Sequence, residues 1–180
     1  MPVDLKLPKA GANVIVRRLE ERDLEDLSAI ETDPEVKRYL GGPISTPRLE
    51  WIAEMKRLLP NPVTLAVVSK DSGEFAGRAS IGHWIFGSTR DRDLQIVIGR
   101  AYWGRGFGRE VSQMLIAAAF EELAAERIIA VVEPGNRASL ALVQFLGFER
   151  DGVDLNSGGQ DGHLRFVLPR PARMSQGINA

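Results

Sequence analysis

The sequence predicts an α/β fold in which a mixed β-sheet is flanked by helices. Short apolar runs are typical of strands, and longer segments repeat apolar residues at helical spacing. Their order along the chain is strand, two helices, three strands, helix, strand, helix and two strands. A hairpin in the middle of this series, followed by alternating helices and strands, favours a sheet with both antiparallel and parallel neighbours.

The first half begins with a predicted strand over residues 13–19, "NVIVRRL". Residues 22–33 follow at helical spacing with Asp23 in the position of an N-cap, and a second helix covers 46–59 with Pro47 at its first position. Apolar stripes support both helices: Leu24, Leu27 and Ile30 on the first, and Ile52, Met55, Leu58 and Leu59 on the second. The strands "VTLAVVSK" and "EFAGRASIGHWIF" then flank the turn "DSGE" as a hairpin.

The second half alternates strands with helices. Its longest helix, from Phe107 to about Glu126, is apolar around most of its circumference and is expected to be buried against the sheet. The helix "NRASLALVQFLGF" is predicted to be capped by Asn136 and ended by Gly147. The predicted strands lie at residues 93–99, 127–133, 148–151 and 163–168.

The composition is that of one globular domain. Of the 180 residues, 44% are apolar and 26% charged, so we expect a single domain over 1–180, with its core at about 13–168 and a flexible tail at 169–180. The net charge of −1 argues against nucleic acid or a membrane surface as a partner. The absence of cysteine excludes disulfides and thiolate metal sites, and no metal site is predicted. Because neither a signal-like start nor a membrane-spanning run is present, we expect a cytoplasmic protein, with a homodimer left open.

The stretch "AYWGRGFGREV" has the pattern of a phosphate-binding turn between a strand and a helix. Gly104, Gly106 and Gly108 allow positive φ and a close approach of the backbone to a ligand. Unpaired amides at the start of the following helix attract an anion, and Arg105 and Arg109 add donors for a diphosphate. A turn that uses glycine only for tight packing would show the same residues.

Two better-known phosphate motifs do not fit this turn. A Walker loop needs Lys followed by Ser or Thr, whereas "GRAYWGRG" has Arg and Gly at those two positions, so nucleoside triphosphate hydrolysis is unsupported. A dinucleotide fingerprint needs G-x-G-x-x-G early in a βαβ unit, whereas the spacing here is G-x-G-x-G, late in the chain.

Read with "NRASLALVQFLGFERDG" downstream, the turn resembles the GNAT superfamily of acyl-CoA-dependent N-acetyltransferases. Within it, the sequence is most similar to the branch of Rim-type ribosomal-protein N-terminal acetyltransferases, which typically shows Y-W-G-K-G-Y-x-x-E-A, then N-x-x-S and L-G-F. The matching residues are Tyr102, Trp103, Gly104, Gly106, Glu110, Asn136, Ser139, Leu146, Gly147 and Phe148. The resemblance is strong from about Asp93 to Gly152, and the predicted element order fits it along the whole chain.

The resemblance implies a GNAT-type acyl-CoA N-acyltransferase fold with a splayed central sheet and with acetyl-CoA as co-substrate. The strand at 95–99 would separate from its neighbour, so that the pantetheine arm pairs with its backbone, and the pyrophosphate would lie on the amides of the glycine turn. The residues implied in coenzyme binding are Ile96, Val97, Ile98, Trp103, Gly104, Arg105, Gly106, Phe107, Gly108, Arg109 and Asn136. Trp103 stands where the wider family begins this loop with Gln or Arg.

The chemistry requires a neutral amine, donors for a tetrahedral oxyanion and a proton for the leaving thiolate, without a covalent nucleophile. Many relatives carry a tyrosine acid seven residues after the capping asparagine, but here that residue is Val143, which cannot donate. Ser139 is then the candidate donor to the thiolate, and a serine that bonds locally to backbone is the alternative. Asn136 is placed beside the pantetheine in the catalytic centre, although the role of helix N-cap would account for it equally well.

The group that accepts the proton of the amine is not evident. Gln95 stands where many relatives place a glutamate, and an amide cannot accept that proton. Asp93 is near, but it is expected at the entrance of the strand. His83 alternates with apolar residues and is expected to be a structural histidine packed in the sheet. A chain of waters to bulk solvent is the remaining alternative.

The acceptor would approach, by the same resemblance, between the first two helices (23–59) and the final hairpin (152–165). The acidic residues of the helices could attract a cationic amine or form a solvated helix face: Glu31, Asp33, Glu35, Glu50 and Glu54. Trp51 and Trp84 could line the pocket or fill the core, and the polar loop "DLNSGGQDGH" could shape its mouth.

The leading hypothesis is therefore an N-acetyltransferase that uses acetyl-CoA. Its acceptor could be a protein N-terminus, a polyamine, an aminoglycoside or another small amine. A non-catalytic acyl-CoA-binding or regulatory domain with the same fold is the alternative, and the missing Tyr and Glu equivalents are its main support. A nucleotide-binding protein is the third, which the two motif failures disfavour.

Overall fold

The computed structural model describes residues 5–59, 64–154 and 162–171 and shows an eight-stranded sheet with helices on both faces. The strands are β1 Lys9–Ala10, β2 Val14–Arg18, β3 Thr64–Ser69, β4 Phe75–His83, β5 Asp91–Ile98, β6 Arg127–Val132, β7 Glu149–Asp154 and β8 His163–Pro169. The α-helices are α1 Leu24–Thr32, α2 Pro34–Lys37, α3 Arg48–Leu58, α4 Phe107–Glu121 and α5 Arg137–Phe145. The predicted mixed α/β class is confirmed. Most of the predicted tail, from residue 172 onward, lies outside the described residues.

The strands lie in the order β1-β2-β3-β4-β5-β6-β8-β7. All neighbours are antiparallel except β5 and β6, which are parallel and are connected through α4. Such a crossover is needed because parallel strands cannot be joined by a tight turn.

β5 and β6 are paired at one end only. Residues 91–93 of β5 pair with residues 127–129 of β6, although β5 continues to Ile98 and β6 to Val132. On its other side β5 stays paired with β4 along nearly its whole length. The two strands therefore separate beyond Asp93, as expected from the resemblance, and the edge of β5 that faces β6 is left without a strand partner.

Two apolar clusters fill the two faces of the sheet. The first lies under α4 and includes Val67, Ile81, Val111, Leu115 and Ile128. The second lies under α1 and α3 and includes Leu24, Leu27, Ile52, Ala66 and Val97. Side chains alternate along a strand, so β5 presents Ile96 and Ile98 to the α4 face and Val97 to the opposite face.

Several local predictions are corrected by the structure. β1 and α2 are additional elements, and Pro47 lies at the N-cap of α3 rather than at its first helical position. α4 ends at Glu121 rather than near Glu126, because the chain turns back towards β6 through Ala124 at φ +49°. Alanine gives no sequence signal for a left-handed turn, so the helical pattern extends past the true end.

Asp23 lies at the N-cap position of α1 but makes no cap hydrogen bond. Its carboxylate instead accepts two hydrogen bonds from the Arg17 guanidinium, both at 2.7 Å, and one from the Glu20 amide at 2.8 Å. Asp23 therefore ties β2 to the turn before α1.

The predicted limits of α5 are confirmed. The Asn136 side chain accepts a hydrogen bond from the amide of Ser139 at 3.1 Å, and Gly147 follows the helix at φ +81°. In the part of the chain that the structure describes, no helix combines the length and apolarity needed to cross a bilayer.

Candidate active site

A cleft of about 1190 Å³ opens between the separated ends of β5 and β6. It extends from Asp93, where the two strands part, past Ile98 to the glycine turn that Gly104 and Gly106 form before α4. After the roles that the sequence resemblance leads us to expect, we call the side lined by this turn, α4 and α5 the coenzyme side, and the side lined by α2, β4 and the start of β8 the acceptor side. Of the residues predicted from sequence to bind the coenzyme or to act in catalysis, all but Arg105 line this cleft.

The glycine turn has the backbone geometry of an anion cradle. Gly104 and Gly106 have φ of +72° and +79°, and a Cβ built on either would meet no atom within 4 Å. Glycine is required at both positions by backbone conformation rather than by packing. Gly106 is also the N-cap of α4 and no side chain caps the helix there, so the first amides of α4 remain available to a ligand.

The turn is held in place by hydrogen bonds and ring stacking. The indole N–H of Trp103 donates to the carbonyl of Ile98 at 2.7 Å, and the Tyr102 ring stacks on Phe107 with centroids 5.5 Å apart. The Tyr102 hydroxyl donates to Glu74 at 3.0 Å, and burial together with this bond raises the pKa of the phenol. The Trp103 side chain therefore ties the glycine turn to the end of β5.

Glu110, which matches the family motif, anchors α4 to β2. Its carboxylate accepts hydrogen bonds from the amide and side chain of Asn13, both at 2.9 Å, and from the amide of Val14 at 3.3 Å. Burial alone would raise the pKa of Glu110, but these donors outweigh it and the net pKa is lowered. The residue is structural and positions the first turn of α4.

Two arginines place positive charge beside the turn. The Arg105 guanidinium lies 5.5 and 5.1 Å from the ring centroids of Tyr102 and Phe107, and that of Arg109 lies 3.8 Å from the centroid of Phe145. Both arginines are exposed, and within the described chain neither forms an ion pair. The free amides and the two unneutralised guanidinium groups fit a diphosphate.

Ser139 and Asn136 lie at the start of α5 on the coenzyme side of the cleft. Asn136 is engaged as the N-cap, so the structural role that sequence left open is present. The Ser139 hydroxyl makes no hydrogen bond to any described residue, and the local backbone bond considered above is therefore not formed. Val143 is buried in the α4 cluster and offers no proton donor.

Asp93 and Gln95 lie on the acceptor side of β5. The Gln95 amide donates to the Asp93 carboxylate at 2.9 Å, and both residues line the cleft. Asp93 is the third residue of β5 and stands at the entrance of the splay, deeper than the strand entrance where the sequence places it.

The structural role that the sequence predicted for His83 is wrong, and His163, for which no role was predicted, lines the cleft. His83, expected to be packed in the sheet, is exposed at the end of β4 and does not line the cleft. His163, at the start of β8, lines it, and its buried Nδ1 has no hydrogen-bond partner among the described residues. Sequence reasoning placed the acceptor near residues 152–165 but missed His163, whose only signal is a histidine at a strand start after a polar loop. Residues 155–161 of that loop lie outside the described residues.

Glu31 is a structural residue rather than one that attracts an acceptor. It is 4% exposed and accepts hydrogen bonds from Lys37 Nζ and Arg78 Nε, both at 2.5 Å. Burial alone would raise its pKa, but the charges and hydrogen bonds of Arg78 and Lys37 outweigh this and hold the pKa of Glu31 below its usual value. The cluster connects α1, α2 and β4 beneath the acceptor side.

Of the other acidic and tryptophan candidates, some line the cleft and some do not. Asp33 caps α2 by accepting from the amide of Glu35 at 2.8 Å, and Glu35 lines the cleft. The exposed residues of α3, Glu50 and Glu54, do not line it. Of the two tryptophans, Trp51 packs in the α1–α3 cluster, and Trp84 lines the cleft.

Comparison with known proteins agrees with this geometry. Residues 13–149 match the family described as "Acetyltransferase (GNAT) domain", so the chain belongs to the GNAT acetyltransferases. The chain is similar to the uncharacterized N-acetyltransferase p20 of Bacillus licheniformis, with 28% identity over 147 residues that cover 77% of this chain and 80% of p20.

Solved structures share the fold. RimJ of Mycobacterium smegmatis, in complex with CoA-disulfide, is 22% identical with a TM-score of 0.68, and the match covers 87% of this chain and 81% of that protein. Spermidine N-acetyltransferase of Vibrio cholerae, in complex with CoA and spermine, is 17% identical with a TM-score of 0.73, and the match covers 88% and 96% of the two chains. At these identities the likeness establishes the fold, and the GNAT assignment made from the glycine turn is confirmed.

Proposed function

We propose that this protein is an acetyl-CoA-dependent N-acetyltransferase that moves an acetyl group to a primary amine by direct attack within a ternary complex. The continuity of the cleft carries the proposal. The unpaired edge of β5 leads without interruption to the glycine turn and the first amides of α4. An extended arm can pair with a free strand edge, and a diphosphate with a helix N-terminus, so the cleft suits the two ends of coenzyme A.

In this proposal the coenzyme side of the cleft binds acetyl-CoA, and helix α5 assists the departure of the thiolate. The backbone of Ile96, Val97 and Ile98 pairs with the pantetheine arm, and the turn from Trp103 to Arg109 holds the pyrophosphate. Ser139, with its hydroxyl free of partners in the described chain, donates a proton to the thiolate, and Asn136 positions it by capping α5. Coenzyme A supplies the thioester that makes the acetyl group reactive.

The acceptor is a primary amine, and we place the protein in the Rim-like branch of the family. Tyr102, Trp103 and the N-x-x-S motif support that placement, as does the absence of a tyrosine at Val143. The acceptor in this proposal is a protein N-terminal amine or a small-molecule amine. A cytoplasmic location follows as part of the proposal.

A non-catalytic acyl-CoA-binding domain is the second candidate, favoured by Val143 and Gln95, neither of which can exchange a proton as the usual family residues do. Release of free thiol from acetyl-CoA distinguishes the two, measured with spermidine, kanamycin and an alanine-initiated hexapeptide as acceptors. Amine-dependent thiol release supports the enzyme. Binding of acetyl-CoA without turnover of any of the three supports the second candidate.

The coenzyme site is tested by Gly106→Ala with Gly73→Ala as its matched control. Both glycines have left-handed φ, +79° and +71°, with open space at the Cβ, but Gly73 lies in the β3–β4 turn away from the cleft. Both variants should be destabilised by about 1–2 kcal/mol, and only Gly106→Ala should bind acetyl-CoA about 10- to 100-fold more weakly, because charge-assisted amide bonds are lost. Equal affinities of the two variants by calorimetry would remove the turn from the site.

The role of Ser139 is tested by Ser139→Ala. We expect kcat to fall about 10- to 100-fold while the KM for acetyl-CoA is nearly kept, because the hydroxyl acts on the departing thiolate only. The cap of α5 uses the Ser139 amide and survives the substitution. An unchanged kcat would exclude Ser139 from catalysis.

A further inference from the structure

Asp93 occupies the point where the cleft begins. It is the last residue of β5 that pairs with β6, opposite Ile129, and from Leu94 onward the two strands separate. A thioester arm that pairs with the free edge of β5 reaches its deepest point beside Asp93. The side chain at this position is therefore close to the reacting end of the arm.

The alternation of β5 places Asp93 on the side from which the acceptor arrives. Leu94 and Ile96 pack towards α4, whereas Val97 packs towards α1 and α3. Asp93 and Gln95 share the face of Val97, which is the acceptor side of the cleft.

The Asp93 carboxylate is half-buried and not neutralised. Nearby acidic groups on the same face have cations: Asp91 is bound by Arg127 at 2.6 Å, and Glu31 by Lys37 and Arg78. Asp93 forms no ion pair within residues 5–59, 64–154 and 162–171, and the hydrogen bond that it accepts comes from the uncharged amide of Gln95. A half-buried carboxylate of this kind attracts a cation from solution, and the acceptor is one.

We propose that Asp93 binds the nitrogen of the acceptor amine and takes its proton during acetyl transfer, which makes it a catalytic residue. This assignment rests on the proposed acetyltransferase function. Gln95 is a positioning residue in the same scheme, because its amide hydrogen bond holds the carboxylate at the entrance of the splay.

Acetyl transfer in this scheme needs no reactant other than the amine and acetyl-CoA. The ammonium first loses one proton to solvent, since only the neutral amine has a free electron pair. That pair forms the N–C bond to the thioester carbon while the carbonyl electrons move to oxygen, and the nitrogen becomes positively charged. Asp93 takes a proton from this nitrogen, the oxyanion reforms the carbonyl, and the C–S bond breaks with its electron pair on sulfur. The thiolate is protonated through Ser139 and water, and Asp93 returns its proton to solvent, so that the products are the amide and the thiol.

His163 is one competing group on the acceptor side, since its buried Nδ1 has no described partner. It lies on β8, however, and β6 stands between β8 and β5 in the sheet. Asp93 is the nearer of the two to the separated edge along which the thioester arm lies.

The test compares wild type with Asp93→Asn, which keeps the shape of the side chain and removes its charge. With spermidine as acceptor, we expect kcat/KM to fall at least 100-fold while the affinity for acetyl-CoA and the melting temperature stay unchanged. Adding Gln95→Glu restores a carboxylate two residues further along the same face, and we expect the double variant to recover at least 10-fold over Asp93→Asn. Asp71→Asn, in the exposed β3–β4 turn, is the control for loss of one negative charge.

A kcat/KM for Asp93→Asn within threefold of the wild-type value would overturn the assignment. A large decrease of kcat/KM in His163→Gln, with no decrease in Asp93→Asn, would also overturn it. A second measurement separates this proposal from the proposed function. Calorimetry of spermidine binding to the CoA-saturated protein should show at least tenfold weaker binding in Asp93→Asn than in wild type. If wild type turns over no amine, the proposed function fails, and equal spermidine binding by the two proteins then also refutes contact of Asp93 with the acceptor.

Discussion

Replacing Glu31 by Gln should destabilise the protein severely, although Glu31 lies outside the proposed chemistry. The carboxylate neutralises Lys37, which is 7% exposed, and Arg78, whose side chain is 21% exposed. Both donors reach it at 2.5 Å, Lys37 from α2 and Arg78 from the middle of β4. Glutamine keeps the volume and can accept one hydrogen bond, but it leaves both cations without a counter-charge in a largely buried position.

The expected loss follows from this burial. Removing one member of a buried ion pair costs about 3–5 kcal/mol, because the partner charge stays desolvated and unpaired. Arg78 lines the cleft and can be partly hydrated, so we take the lower end, about 3 kcal/mol. For a chain of this size each kcal/mol lowers Tm by about 2–4 °C, so the expected decrease in Tm is about 6–12 °C.

Thermal and urea unfolding of Glu31→Gln and Glu25→Gln, compared with wild type, provide the assay. Glu25 lies in the same helix and pairs with Arg48, but its side chain is 58% exposed, so its loss should change stability by less than about 1 kcal/mol. A decrease in Tm for Glu31→Gln no larger than that of the control would refute the reasoning.

The pH dependence of the Glu31 effect gives an independent check. Since the folded-state pKa of Glu31 is lowered, its contribution is complete above the unfolded-state pKa of about 4.3 and disappears as the pH falls through the folded-state value. The stability difference between wild type and Glu31→Gln should therefore be constant at neutral pH and shrink below about pH 4.

Two further predictions concern stability alone. Asn136→Ala should cost about 1 kcal/mol in urea unfolding, through loss of the cap bond to the Ser139 amide, and Asn136→Asp should retain most of it; equal losses in both variants would contradict the cap. Arg127→Met should cost about 2 kcal/mol at pH 7, because the fully buried Asp91 loses its charged partner. The hydrogen bond from Arg127 lowers the pKa of Asp91, so this difference should shrink progressively as unfolding is measured at pH values further below about 4, and a difference that stays constant in acid would contradict it.

The structural features that were predicted correctly from sequence alone depend on residues close together in the chain. The strands, the caps of α5 and the glycine turn are each specified by neighbouring residues, because a left-handed φ at Gly106 or a cap at Asn136 depends on a few consecutive positions. The joint spacing of the turn and N-x-x-S indicated the GNAT family, which the match over residues 13–149 confirms. The assignments of individual coenzyme and catalytic residues remain predictions.

The failures have a common cause in long-range pairing. Asp23 has the sequence position of a cap, but Arg17 on β2 takes its carboxylate. His83 follows the alternation of a buried strand, yet β4 ends there and leaves it in solvent, while His163 lines the cleft. No periodicity or motif within a short window distinguishes these cases, because the deciding neighbour belongs to another element.

By itself, the sequence determined the order of the elements other than β1 and α2, the turn that precedes α4 and the family to which the chain belongs. These properties arise from backbone conformation and apolar spacing, which are encoded over a few residues at a time. Only the tertiary structure decided which charges are neutralised. Glu31 meets Arg78, 47 positions away, and becomes structural, whereas Asp93 stands where β5 and β6 separate and has no ion-pair partner among the described residues. Burial and counter-charge depend on the assembled sheet, so the same residue type serves stability at one position and faces the cleft at the other.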